Sequence, residues 1–147
     1  MKTLDNKILA ICMHIITPPI LMFAFYLQFH GEVSPGGGFQ SGIIFTIPII
    51  VYIMLYGSTT RQGYILTQTP LLKNIGLTGV VMYILIGLIG NLLGGEFLDY
   101  STFSKSAQIA QQIGIFAIEA AVCMAVFGSM STIFLSFYKY IMHKNFS

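Results

Sequence analysis

Charged residues are scarce in this chain. Only 8% of its 147 residues are Asp, Glu, Lys or Arg, whereas 55% are hydrophobic; an ordinary soluble domain carries roughly 25% charged residues. Such a chain has too little polar surface to cover a water-soluble globule. The composition therefore predicts an integral membrane protein.

Residues suited to enzymatic or metal chemistry are also few. The chain has two cysteines, Cys12 and Cys123, which lie in separate hydrophobic stretches with no further cysteine at metal-ligand spacing. Both are interpreted as buried, inert thiols. Nucleophile, zinc-protease and phosphate-loop motifs are missing as well. Neither enzyme activity nor a cofactor or metal is predicted.

The chain does contain four hydrophobic runs without lysine or arginine. They cover residues 8–29, 39–56, 75–93 and 113–138. A helix of about 20 apolar residues crosses the hydrocarbon layer, whereas an isolated strand would leave backbone groups unpaired in lipid. We predict an all-α membrane protein in which residues 1–147 form one domain of four transmembrane helices.

The basic residues predict the orientation of these helices. Six of the seven lie before the first run, between the second and third, or after the fourth: Lys2, Lys7, Arg61, Lys73, Lys139 and Lys144. An even number of spans places these three regions on one side, and only Lys105 on the other. The positive-inside rule then predicts cytoplasmic N and C termini. Topology accounts for this basic face, so no nucleic-acid partner is predicted.

Glu119 is the only acidic residue within a predicted span. It lies six residues into the fourth run, or about 9 Å by helical rise. An ionisable group at that depth is costly and by default marks an ion or proton path. The alternative is a carboxyl group that hydrogen-bonds a neighbouring helix or lies among lipid headgroups.

The fourth run has two distinct faces. Glu119 shares one face with Cys123, while a stripe of small residues that includes Ala121 and Gly128 lies opposite. A buried acid and a small-residue stripe both require close neighbours. We therefore expect neighbouring helices on both sides of this span. Four spans alone could hardly surround it so fully, which suggests a larger assembly.

His14 lies in the first run, before Thr17-Pro18-Pro19. Each proline removes a backbone donor and predicts a bend, as does Pro48 in the second run. His14 is expected about 12 Å of membrane depth from Glu119. It is a candidate proton-relay residue, and otherwise a histidine that hydrogen-bonds within the bundle.

Glycines recur on one face of the third run. They are Gly87, Gly90 and Gly94. Their spacing favours close helix–helix packing.

The loop between the first two runs is rich in glycine. It reads His30-Gly31-Glu32-Val33-Ser34-Pro35-Gly36-Gly37-Gly38-Phe39-Gln40-Ser41-Gly42. A flexible turn would account for such a string. Yet it resembles a signature of the MrpB (MnhB) subunit family of multisubunit cation/proton antiporters. The matching positions are His30, Pro35, Gly36, Gly37, Gly38, Phe39 and Gly42.

The resemblance extends over nearly the whole chain. It implies a multi-pass subunit of the bacterial inner membrane that works with other membrane subunits to exchange Na⁺ for protons. In such a complex the chain would support assembly and line part of an ion route, with the loop docked on a neighbour. Relatives often carry aspartate followed by Gly-Val where this chain has Glu119-Ala120-Ala121, a departure that bears on the role of the carboxylate.

Three other functions are compatible with four spans and one acid. A related module occurs in hydrogenase- and respiratory-type complexes. A stand-alone small multidrug transporter would work as a dimer, but it would place its glutamate in the first helix and favour tryptophan, which this chain lacks. A purely structural membrane scaffold would not depend on Glu119.

Overall fold

The computed structural model of the chain describes residues 2–31, 36–57, 60–68, 70–100 and 107–145. In these segments the regular structure is helical. The helices are α1 (Lys2–Phe29), α2 (Gly38–Tyr56), α3 (Arg61–Gln68), α4 (Leu71–Leu92) and α5 (Ala107–Asn145). Among the described residues, α1, α2, α4 and α5 are long and apolar enough to cross a membrane. The predicted all-α fold with four spans is confirmed.

The last helix is longer than its predicted span. α5 has 39 residues, which corresponds to about 58 Å of helix, whereas the hydrocarbon layer is about 30 Å thick. The sequence underestimated it because Gln108, Gln111 and Gln112 interrupt the apolar run without interrupting the helix. α5 therefore extends beyond the membrane.

The prolines do not end either helix. α1 remains helical through Pro18 and Pro19, and α2 through Pro48. Transmembrane helices tolerate proline because neighbouring groups can satisfy the freed carbonyls.

The four spanning helices form an open row in the order α1, α2, α5, α4 rather than a closed bundle. α2 packs against α1 and α5, and α4 packs against α5, while α1 touches α5 only slightly. The expectation of neighbours on both sides of the last span is confirmed. Both neighbours come from this chain, however, so this feature does not by itself require a larger assembly. α5 is flanked because it occupies the interior of the row.

The edge helix α1 is left almost uncovered by its own chain. Only 6% of its most apolar window is buried, compared with 28% for α2. Apolar side chains on this face include Ile11, Ile15 and Met22. They require cover from lipid or from another membrane protein.

α4 and α5 approach each other at backbone distance. A Cβ atom on Gly128 would collide with the backbone of Gly76, and one on Gly79 would collide with the backbone of Ala125 and lie 2.6 Å from the carbonyl oxygen of Ala121. The small-residue stripe of α5 thus faces α4. Such contacts drive helix association in lipid, where hydrophobic burial gives little.

The three glycines expected to pack helices have a different role. A side chain at Gly87 would meet the Phe97 ring, and one at Gly90 would lie 3.1 Å from the carbonyl oxygen of Asp99. Gly94 lies beyond the end of α4 with φ +90° and nothing within 4 Å of its Cβ position. The segment after α4 folds back over the helix. A spacing pattern alone cannot distinguish this loop from a neighbouring helix.

The same segment also covers α5. The ring of Tyr100 lies where a side chain on Gly114 would go. Burial there, and to a lesser degree the nearby Tyr83, raises the pKa of Tyr100. The loop is therefore packed on both helices.

A short helix that the sequence did not predict lies at the ends of α2, α4 and α5 that are remote from the segment after α4. α3 falls in the 57–74 linker, and its Leu66 packs against a core of Ile53, Leu72 and Leu135. With eight residues, it is too short to appear as a hydrophobic run. It joins α2, α4 and α5 at this end.

Replacement of Gly128 by alanine tests the α4–α5 contact. Alanine favours a helix by up to about 1 kcal/mol over glycine, but here its Cβ would meet the Gly76 backbone, and such overpacking costs typically about 1–3 kcal/mol. Gly128→Ala should therefore lower the unfolding temperature of the full-length protein in detergent. Ser129→Ala, at an exposed position one residue away, should not. A Gly128→Ala protein at least as stable as the parent would contradict the contact.

Candidate functional site

The structure brings Glu119 and the glycine-rich loop together. A Cβ atom on Gly31 would collide with both Glu119 carboxylate oxygens, and one on Gly37 would lie 2.9 Å from Oε1. A Cβ atom on Gly38 would collide with the backbone carbonyl oxygen of Glu119. We call these three glycines the cradle. The sequence identified the acid and most of the loop separately, but not their contact.

The cradle positions are glycine for two physical reasons. Gly37 has φ +107°, a backbone conformation that residues with a side chain rarely adopt. Gly31 and Gly38 leave no room for a side chain between the loop and α5. One turn further along α2, Gly42 makes a similar contact, since its Cβ would lie 2.7 Å from the Cys123 carbonyl oxygen. The loop glycines thus hold the carboxylate and set the α2–α5 distance.

The carboxylate lies well short of the C-terminal end of α4. Gly79 faces Ala121 and Ala125, and from this level α4 runs thirteen residues on to Leu92. In the same direction α5 runs only about four residues to Glu119. The difference of nine residues corresponds to about 13 Å of helix. Residues 80–90 of α4, which continue past this level, are apolar, so Glu119 is recessed relative to the C-terminal end of α4.

Polar side chains continue from the cradle between α1 and α2. The Ser41 hydroxyl is 2.7 Å from Gln28 Oε1, to which it can donate, and 3.0 Å from the Gly38 carbonyl oxygen. Gln28 and Ser41 are 8% and 0% exposed. Gln28 Nε2 is buried and has no hydrogen-bond partner in the described structure. A buried amide donor without a partner is costly, which makes Gln28 a candidate site residue.

Cys123 belongs to this group as well. It is buried one turn along α5 from Glu119, and its thiol lies close to the Ser41 hydroxyl. The Cys123 thiol is therefore buried, as the sequence suggested, whereas Cys12 is exposed. Gln28 and Ser41 were not predicted as site residues, although a glutamine inside an otherwise apolar run was a signal that could have identified one of them.

The remaining residues of the loop signature lie outside the cradle. His30 is exposed, its Nδ1 is 3.0 Å from the Tyr26 carbonyl oxygen, and its ring stacks on Tyr26 with centroids 4.3 Å apart. Phe39 is 55% exposed, and Gly36 contacts Leu27. Pro35 falls outside the described residues. His30 and Phe39 are thus both exposed in this structure.

His14 is not part of this site. It lies seventeen residues before Gly31 on α1, which corresponds to about 25 Å rather than the expected 12 Å. The expectation was too small because Glu119 packs level with the end of α1. The His14 ring is exposed, with Nδ1 2.7 Å from the Ala10 carbonyl oxygen. No group of three or more His, Cys, Asp or Glu side chains that could bind a metal occurs among the described residues.

Most of the side-chain and backbone atoms near the cradle that could bind a cation are oxygens. The Glu119 carboxylate lies against Gly31 and Gly37, and the Gln28 amide, the Ser41 hydroxyl and the Gly38 carbonyl lie together between α1 and α2. Hard cations prefer such ligands, and a carboxylate also exchanges protons. The fold and site together define a multi-pass membrane protein with a recessed carboxylate suited to a small cation or a proton.

Comparison with known proteins identifies the family. Residues 8–132 match the family described as a domain related to the MnhB subunit of Na⁺/H⁺ antiporter. This match covers most of the chain and includes both the cradle and Glu119. The chain belongs to this family, as its loop signature predicted. No solved structure matches the chain significantly.

Individual relatives agree with this assignment. A Na⁺/H⁺ antiporter subunit from Bacillus subtilis is 28% identical over 97 residues, which cover 66% of each chain. A Staphylococcus haemolyticus protein provisionally named antiporter subunit mnhB2 is 26% identical over 121 residues, or 80% of this chain and 83% of that protein. An uncharacterized Methanocaldococcus jannaschii protein is 29% identical over 68 residues, but these cover 46% of this chain and only 25% of that protein.

A pair of double variants tests the cradle geometry. Gly31→Ala and Gly38→Ala should each destabilise the protein, since a Cβ at either position collides with Glu119. Adding Glu119→Ala should restore stability to Gly31→Ala, because there the collision is with the side chain. It should not restore Gly38→Ala, where the collision is with the backbone. Unfolding temperatures of the single and double variants give the coupling energies, and equal rescue of both glycine variants would contradict the geometry.

Proposed function

We propose that this chain is an integral subunit of a multisubunit Na⁺/H⁺ antiporter in a bacterial inner membrane, with both termini in the cytoplasm. Its own contribution is twofold: it completes the membrane part of the complex, and it lines a segment of the ion route at Glu119. The packing of the recessed Glu119 carboxylate against Gly31 and Gly37 is the observation that carries the second part.

The local chemistry supports transfer rather than permanent binding. A conducting site must bind an ion strongly enough to admit it and weakly enough to release it. One carboxylate supplies a single negative charge, and Gln28 and Ser41 supply neutral oxygens nearby. Na⁺ or a proton can therefore neutralise Glu119, and the buried Gln28 amide can donate to a water molecule in the route.

The uncovered surfaces support membership of a larger complex. α1 is largely exposed, and so are His30 and Phe39. In this proposal the outer residues of the loop contact a neighbouring subunit while its glycines hold Glu119. His14 lies on the exposed face of α1, so any proton relay through it requires groups from another subunit.

Substitution of Glu119 tests its place in the ion route. Glu119→Gln keeps the shape but cannot take up a proton or neutralise a cation. We expect cation-dependent proton movement in membrane vesicles to fall by about tenfold or more, since a loss of roughly 1.4 kcal/mol at a transfer step has that effect. Glu119→Asp should retain part of the activity, and Glu96→Gln, at an exposed loop carboxylate, should retain all of it.

The same membranes provide the assembly control. Each variant is tagged and purified in mild detergent, and its accompanying subunits are identified. Normal assembly with unchanged exchange in Glu119→Gln would remove Glu119 from the route. Purification of the parent protein as a homodimer alone would contradict the subunit proposal and favour a small transporter, and hydrogenase or respiratory subunits would indicate the other type of complex.

A further inference from the structure

A basic cavity lies between α4 and α5, at the ends of these helices that are remote from the cradle. Its volume is about 260 Å³, and Lys73 from α4 and Lys139 from α5 both line it, together with Thr132 and Ser136. Among the described residues, neither lysine forms an ion pair with a carboxylate, and no acidic residue lines the cavity. Two ammonium groups in one concave site attract an anion.

An apolar groove of about 410 Å³ adjoins this cavity. The two share Lys73 and Thr132, and the groove continues along Gly76, Leu77 and Val80 of α4 and Val126 and Ile133 of α5. The groove runs beside the close contact of the two helices at Gly76 and Gly128. The basic cavity and the apolar groove thus form one continuous surface along α4 and α5.

The hydroxyl groups in the cavity leave anion binding to the lysines. Thr132 donates to the Gly128 carbonyl at 2.6 Å, and Ser136 donates to the Thr132 carbonyl at 2.9 Å. Their hydrogens are therefore used within α5. Lys73 and Lys139 remain the available donors, and α4 begins beside them without a side-chain cap.

We propose that this surface binds an anionic phospholipid. The phosphate lies between the Lys73 and Lys139 ammonium groups, and one acyl chain follows the groove between α4 and α5. A lipid fits better than a soluble anion because the basic cavity opens into an apolar groove on the membrane-facing side of two spanning helices. It also fits better than an acidic peptide, whose backbone groups would find few partners along this groove.

Photo-crosslinking tests the site in the assembled protein. The full-length chain, with the subunits that accompany it, is placed in nanodiscs that contain photoreactive phosphatidylglycerol or photoreactive phosphatidylcholine, and labelled peptides are mapped by mass spectrometry. Phosphatidylglycerol should label the groove residues of α4 and α5 well above phosphatidylcholine. Each surface lysine is worth about fivefold toward an anionic lipid, so Lys73→Gln/Lys139→Gln should reduce labelling by roughly 25-fold.

Matched variants distinguish a specific site from general surface charge. Arg61→Gln/Lys144→Gln removes two exposed charges that do not line the cavity and should leave labelling of the groove unchanged. Val80→Phe, which narrows the groove at a 48% exposed position, should reduce labelling although both lysines remain.

Equal labelling by the two lipids, or unchanged labelling in the Lys73→Gln/Lys139→Gln protein, would overturn the proposal. Displacement of the lipid by excess inorganic phosphate would also overturn it, because it would indicate an ion site. Labelling only after the other subunits have been removed would do the same, because the groove would then be a protein interface.

Discussion

The close approach of α5 to its two neighbours is the contact on which the rest of the structure depends. Gly76 and Gly79 bring α4 onto the small-residue face of α5, and Gly38 and Gly42 bring α2 onto the other face. In lipid, helices associate through such close packing rather than through hydrophobic burial. Because α2 approaches at backbone distance, Gly31 and Gly37 on either side of the loop lie against Glu119.

This arrangement links the fold to the chemistry. The cradle glycines are structural, since Gly38 permits the α2–α5 contact, and they are functional in our proposal, since Gly31 and Gly37 hold the Glu119 carboxylate in place. The open row adds a second consequence. The chain covers its interior helix α5 by itself but leaves α1 largely uncovered, so the surface of α1 is available to lipid or to another membrane protein.

Much of the fold could be predicted from the sequence because lipid allows few alternatives. Hydrophobic runs identified the four spans, and the loop signature identified the family. The open order of the helices could not be predicted, because Gly87 and Gly90 have the spacing of a helix contact yet lie under a loop. α3 was not predicted because a short amphipathic helix gives no hydrophobic run. The distance from His14 to Glu119 was underestimated because Glu119 packs level with the end of α1, which the sequence did not show.

The site was predicted only in part for a similar reason. Glu119 was recognisable as an acid within a span, and Gly37 as a residue of the signature, but their contact joins residues more than eighty positions apart. No local pattern encodes such a contact. Gln28 and Ser41 entered the site through the α1–α2 contact, where their hydrogen bond is buried.

Infrared difference spectroscopy of the purified complex tests the central claim, that Glu119 itself exchanges the ion, most directly. Spectra recorded with and without Na⁺ are compared for the parent and Glu119→Gln proteins. We predict a Na⁺-dependent change in a carboxylate band that is lost in the variant. A change of the same size in both proteins would show that the ion interacts with other carboxylates and would contradict the account.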